Sequence, residues 1–235
     1  MRILLAGALL PALLLMRWIY NMDTVEKEPT KLLVKLALAG ALACLPAAIL
    51  EGFLEPFVEA FAPADSVSYV FLLAFGVVAV AEEGCKFILL RKVSWHDPNF
   101  NYRFDGIVYG MFVGLGFAAL ENVQYVLEYG PSVIITRGLL SVPAHGIFGI
   151  YMGLYYANSR YADLYHNGTG HRRNMWAAFL IPVVLHGFFD FCLLSESGLL
   201  VIVFLVFVVV LDIVTIKLVR RQSVEDRPLY EEENE

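Results

Sequence analysis

Val78-Ala79-Val80-Ala81-Glu82-Glu83-Gly84-Cys85-Lys86-Phe87-Ile88-Leu89-Leu90 is an apolar stretch interrupted by two adjacent carboxylates and an amine. It lies in an apolar run over about 67–90, close to the twenty or so residues that a bilayer crossing needs. Ionisable groups at membrane depth cost roughly 2.5–3.5 kcal/mol each on insertion scales, so three of them within five positions point to a task. The fold and the chemistry both follow from how the rest of the chain accommodates them.

The composition is that of a membrane protein. Of 235 residues, 59% are hydrophobic and 17% charged, and the mean hydropathy is +0.66. A soluble domain is nearer half apolar and a quarter charged. The net charge of -6 argues against a nucleic-acid partner. Cys44, Cys85 and Cys192 all fall in apolar segments without disulfide or zinc spacing, so they read as small buried hydrophobes.

Further apolar runs fall at about 32–50, 105–127, 132–157, 175–194 and 198–219. Met1 to Tyr20 begins like a signal peptide, but no small-x-small site follows, and Arg17, Trp18 and Tyr20 close it like an interfacial anchor. A retained first helix is expected, making about seven spans in an all-α polytopic protein. Arg17, Lys27, Lys31 and Lys35 flank the first loop, Arg91, Lys92 and Arg103 the third, and Arg160, Arg172 and Arg173 the fifth. Lys217, Arg220, Arg221 and Arg227 follow the last span, whereas the even loops are nearly free of basic residues. The positive-inside rule then places the N-terminus outside and the C-terminus in the cytoplasm. One integral membrane domain over 1–222 is expected, followed by an acidic, disordered tail over 223–235.

Two packing features stand out. Glu51, Glu55 and Glu59 recur every four residues opposite Leu54, Phe57, Val58 and Phe61, which fits either an amphipathic helix on the outer surface or an extension of the second span. Gly106, Gly110 and Gly114 form a small-xxx-small face on the fourth span, with Gly116 beside it, where two helix backbones can approach closely. Asn167-Gly168-Thr169 matches a glycosylation triplet, but this topology puts it in the cytoplasm.

Polar residues recur in the spans that follow. Glu121 and Asn122 lie in the outer half of the fourth, His145 in the middle of the fifth after Pro143, and His186 and Asp190 four apart on one face of the sixth. Lys86 is four residues from Glu82 and three from Glu83, so it can pair with either and keep a buried carboxylate ionised. An ionised, desolvated carboxylate beside water is a general base, and a histidine across a cavity can polarise a carbonyl or protonate a leaving amine. Each of these residues alone has a structural reading as paired charge, satisfied core histidine or interhelical hydrogen-bond glue. Together, in four consecutive spans, they argue for a functional polar cavity.

Glu82-Glu83-x-x-Lys86, Phe104-Asp105-Gly106, Gly114-x-Gly116-Phe117-Ala118-x-x-Glu121-Asn122, Ala144-His145 and Leu185-His186-Gly187-Phe188-x-Asp190 resemble, in order and spacing, the PrsW family of intramembrane proteases. That family is related to the CAAX prenyl-proteases and the bacterial abortive-infection proteins. The resemblance covers about 78–192 and implies a glutamic-type or metal-dependent endopeptidase in the bacterial cell membrane. It implies as substrate a membrane-anchored protein, such as a single-pass anti-sigma factor cut at an extracytoplasmic site in a signalling cascade. By this resemblance Glu82, Glu83, His145 and His186 are the catalytic residues, with Lys86, Glu121, Asn122 and Asp190 in support. Glu121 stands where the prenyl-protease branch carries a histidine.

No resident cofactor is expected; two histidines with carboxylates can bind zinc, but no ligand spacing supports it. His-Glu-x-x-His and Gly-x-Ser-x-Gly motifs are both missing from the chain. Two rival readings use the same residues differently. A proton-coupled transporter or channel would line a relay with Glu, His and Lys. A non-catalytic partner would depend on the glycine face and not on the glutamates.

Overall fold

The computed structural model describes residues 2–195 and 197–230. The helices are α1 (Arg2–Met22), α2 (Thr30–Phe61), α3 (Val67–Phe71), α4 (Ala79–Ser94), α5 (Arg103–Tyr129), α6 (Val133–Leu139), α7 (Ser141–Leu164), α8 (Gly168–Leu194) and α9 (Gly198–Val224). A π-helical segment, Leu72–Val78, joins α3 to α4 without a break. Among the described residues, six helical runs are long and apolar enough to cross a membrane: α1, α2, α5, α6 with α7, α8 and α9. The run 67–94, which carries Glu82, Glu83, Lys86, Arg91 and Lys92, packs alongside them against α2 and α8.

α5 is the centre of the bundle, with 78% of its apolar window buried against 17% for α1 and α9. Its glycines make this possible. A Cβ on Gly106, Gly110 or Gly114 would overlap the α7 carbonyls of Gly153, Gly149 and His145, and one on Gly116 would overlap the Ala37 carbonyl of α2. The small-xxx-small face is thus a two-sided seam that draws α7 and α2 onto α5. The exposed Val201, Ile202, Leu205, Val206 and Val209 of α9 form an apolar outer face, as lipid contact requires.

The basic loops meet at one end of the bundle. Ser223 Oγ donates to the Met22 carbonyl, Asn101 Nδ2 to Glu26 Oε2 at 3.1 Å, and Arg103 N to the Arg227 carbonyl at 3.1 Å. Trp95 meets His171 edge-on at 5.7 Å between ring centres, bringing the fifth loop to the same end. The expected tail boundary at 223 falls inside α9, and beyond the helix Leu229 is fully buried and donates its N–H to the Asn101 carbonyl at 2.7 Å. The acidic run at 231–235 lies outside the described residues. Asn167, the first residue of the glycosylation triplet, caps α8 by accepting from Gly170 N at 2.9 Å.

Two local readings are resolved. Glu51 and Glu55 lie on an unbroken α2 that extends about 48 Å at 1.5 Å per residue, so the extension of the second span is the form adopted, and the surface helix is not. The fifth apolar run is broken into α6 and α7 at Leu140, because Pro143 has no N–H and its ring would collide with the carbonyl of Leu139 in a continuous helix. His145 therefore sits in the second turn of α7, just past the break, and still in the middle part of the spanning run formed by α6 and α7.

Candidate active site

α4, α5, α7 and α8 bring Glu82, Glu83, Lys86, Glu121, His145, His186 and Asp190 into one chain of polar contacts. Lys86 Nζ is its hub, 3.0 Å from Glu82 Oε2, 2.8 Å from Glu83 Oε1 and 3.0 Å from His145 Nδ1. The ammonium also rests over the Phe117 ring, 3.7 Å from its centre, a cation–π contact of value in a dehydrated site. The spacing explains the pairing: residues three and four apart share a helix face, so both carboxylates of α4 reach the same amine.

Each histidine has an inward and an outward nitrogen. Lys86 donates to His145 Nδ1, so the proton of that ring is on Nε2, which donates to Glu121 Oε2 at 3.1 Å. His186 Nδ1 is 2.9 Å from Glu83 Oε1, and its Nε2 is 3.1 Å from Asp190 Oδ2. The rings meet edge to face with centres 5.1 Å apart, and Phe148 stacks on His186 at 5.1 Å. Gly187 leaves the space that the Phe75 ring of the π-helical segment fills beside His186. Single-turn π distortions in helices cluster at functional sites.

The two glutamates are not equivalent. Glu83 is fully buried, with Oε1 shared by Lys86 and His186 and no hydrogen-bond partner for Oε2 among the described residues. Glu82 lines a cavity of about 620 Å³ together with Glu51, Glu121, His145, His186 and Asp190. The cavity extends to Glu55, Gln124 and Leu194, near the ends of α2, α5 and α8 that face away from the basic loops.

One expected participant is placed differently, and two residues outside the expected set join the site. Asn122 points away from the cluster: its Nδ2 donates to the Ala8 carbonyl of α1 at 2.7 Å, and its Oδ1 accepts from Arg137 Nε at 3.3 Å. Glu51, which the sequence left between an outer-surface helix and an extension of the second span, borders the cavity. Arg137 of α6 is the other, with Nη2 2.7 Å from Glu121 Oε2. Its signal was present as the one basic residue in an otherwise base-free loop.

Glu82, Glu83, His145 and His186 each offer one ligand atom, all within 4.8 Å of one another. Two imidazoles and two carboxylates suit zinc. The outward nitrogens of both histidines face carboxylates, the arrangement that orients metal-bound histidines, and Glu83 Oε2 has a lone pair to spare. The donor set therefore fits a divalent ion. Lys86 contacts three of the four donors as a single positive charge, so an ion in their midst requires the ammonium to withdraw.

Comparison with known proteins identifies the family. The family model described as PrsW family intramembrane metalloprotease matches residues 28–214. Protease PrsW of Clostridioides difficile (strain 630) is 34% identical over 208 residues, covering 87% of this chain and 84% of its own. Protease PrsW of Geobacillus kaustophilus (strain HTA426) is 32% identical over 194 residues, covering 83% and 81%. Protease PrsW of Bacillus subtilis (strain 168) is 27% identical over 197 residues, covering 83% and 84%. No solved structure matches the chain. The match takes in every polar residue of the cavity, and it favours peptidase chemistry over the transporter and binding-partner readings. With its helices fit to span a bilayer, the chain belongs to the PrsW family of intramembrane proteases, and is a multi-pass membrane peptidase.

Proposed function

We propose that the chain is an endopeptidase in which Glu82 activates the attacking water and Glu83 is the structural member of the pair. The observation that carries this reading is that Glu82 borders the cavity while Glu83 is sealed behind it, committed to Lys86 and His186. Glu82 takes a proton from water, the resulting oxygen attacks the scissile carbonyl, and the same carboxyl returns the proton to the leaving nitrogen as the C–N bond breaks. Lys86 supplies positive charge where the oxyanion develops, in a site dry enough for that charge to count. Glu121 and Asp190 hold the imidazoles in place, and Arg137 holds Glu121. A divalent ion held by Glu82, Glu83, His145 and His186 would supply Lewis-acid polarisation of the carbonyl or of water.

The substrate in this proposal is a single-pass membrane protein, an anti-sigma factor, cut on its extracytoplasmic side. The cavity supports that side by extending toward the loops poor in lysine and arginine. The test is the pattern of truncated membrane proteins in cells with the wild-type chain or Glu82→Gln. The truncated product should vanish with the variant, and its persistence would remove Glu82 from the chemistry.

A further inference from the structure

At the opposite end of the bundle from the cavity mouth, three carboxylates converge, of which only Asp105 figured in a motif of the sequence. Asp23 follows α1, Glu28 precedes α2, and Asp105 lies in the first turn of α5. They are 1%, 3% and 1% exposed, and each offers an oxygen within 4.8 Å of the others. Part of this set is satisfied by neutral donors. Tyr109 Oη donates to Glu28 Oε2 at 2.7 Å, and the backbone N–H groups of Asn101 and Tyr102 donate to Asp105 Oδ2 at 3.0 and 2.6 Å.

Asp23 is the anomaly. Its Oδ2 is buried with no hydrogen-bond partner among the described residues. The nearby ammonium, Lys27, is turned onto the carbonyls of Tyr20 and Asp23, and it forms no ion pair with the three carboxylates. Like charges this close and this dry need a counter-charge.

We infer that Asp23, Glu28 and Asp105 form a second metal site, for a hard divalent cation such as Ca²⁺ or Mg²⁺. The donors are all oxygen, without the imidazoles that distinguish the catalytic cluster, and hard cations select such sets. Water completes the coordination sphere. The ion joins the α1–α2 loop to the start of α5, fixing from below the helix that carries Glu121 at its other end.

The test uses the full chain in detergent, stripped with chelator and titrated with Tb³⁺ as a Ca²⁺ substitute while Tyr109 and its neighbours are excited. One saturable, tyrosine-sensitised site per chain is expected, displaced by Ca²⁺ or Mg²⁺ alone, and added Ca²⁺ should raise the unfolding midpoint. Asp23→Asn and Glu28→Gln should each weaken binding at least about tenfold, since fewer ligand charges lower affinity. Glu82→Gln should leave it unchanged, which separates this site from the intramembrane donors. The amides remove like charge, so without cation their midpoints should equal or exceed that of the wild type. No saturable emission, or emission unaltered by Asp23→Asn and Glu28→Gln, would overturn the site in favour of carboxyls that share protons.

Discussion

Lys86 Nζ and His145 Nδ1 lie 3.0 Å apart, so an ammonium on α4 donates to an imidazole on α7 in the interior of the bundle. That contact fixes the tautomer of His145 and places the amine where a metal would otherwise touch the same ring. Lys86→Met should therefore lower activity while raising affinity for zinc. Metal content after equilibrium dialysis against limiting Zn²⁺ checks this. Equal loading of variant and wild type would mean that the amine and the ion do not compete.

Glu82 and Glu83 should separate when stability and activity are measured together. Glu83→Gln weakens the grip on a fully buried ammonium, and breaking a buried ion pair costs about 3–5 kcal/mol. Glu82→Gln leaves Glu83 in contact with Lys86 and should cost much less. Thermal unfolding in detergent reads the difference. An equal loss of stability in the two variants would argue against the division of labour.

Asp190→Asn and Glu121→Gln leave the proposed catalytic groups present but loosen their orientation. Each should reduce kcat/KM roughly 10–100-fold, the usual effect of removing an outer hydrogen-bond partner of a functional histidine. The loss should fall mainly on kcat. Asn122→Ala unties α1 from α5 and removes one hydrogen bond to Arg137 while leaving the Arg137–Glu121 pair, so it should alter stability and leave the kinetics nearly intact.

The seam between α5 and α7 should tolerate nothing larger than glycine. Gly110→Ala places a methyl against the Gly149 carbonyl and should destabilise by about 1–3 kcal/mol, as overpacking does. Gly52→Ala, where a Cβ meets open space, is the matched control. Unfolding midpoints of the two variants make the comparison.

The spans and the polar cluster were legible because a charge in an apolar run has few reasons to be there. Glu82, Glu83, Lys86, His145, His186 and Asp190 stand out for that reason, and the structure brings them together. Glu121 joins them through His145. Arg137 was harder to weigh, since an arginine near a helix end is ordinary until its partner is known. The break at Leu140 followed from Pro143, yet hydropathy runs straight across it. Asn122 faces α1 and not the cavity, a choice of helix face that only the rotation of α5 decides. Asp23, Glu28 and Asp105 were invisible as a group because acids at loop ends are normally solvated, and only the tertiary fold buries them together.

The most direct test of the catalytic assignment is cleavage of a single-pass anti-sigma factor by purified protein in liposomes, with Glu82→Gln as the comparison. Wild type should release a defined product, and Glu82→Gln should release none while unfolding within a few degrees of wild type. Cleavage by the folded Glu82→Gln protein at a rate near that of wild type would contradict it.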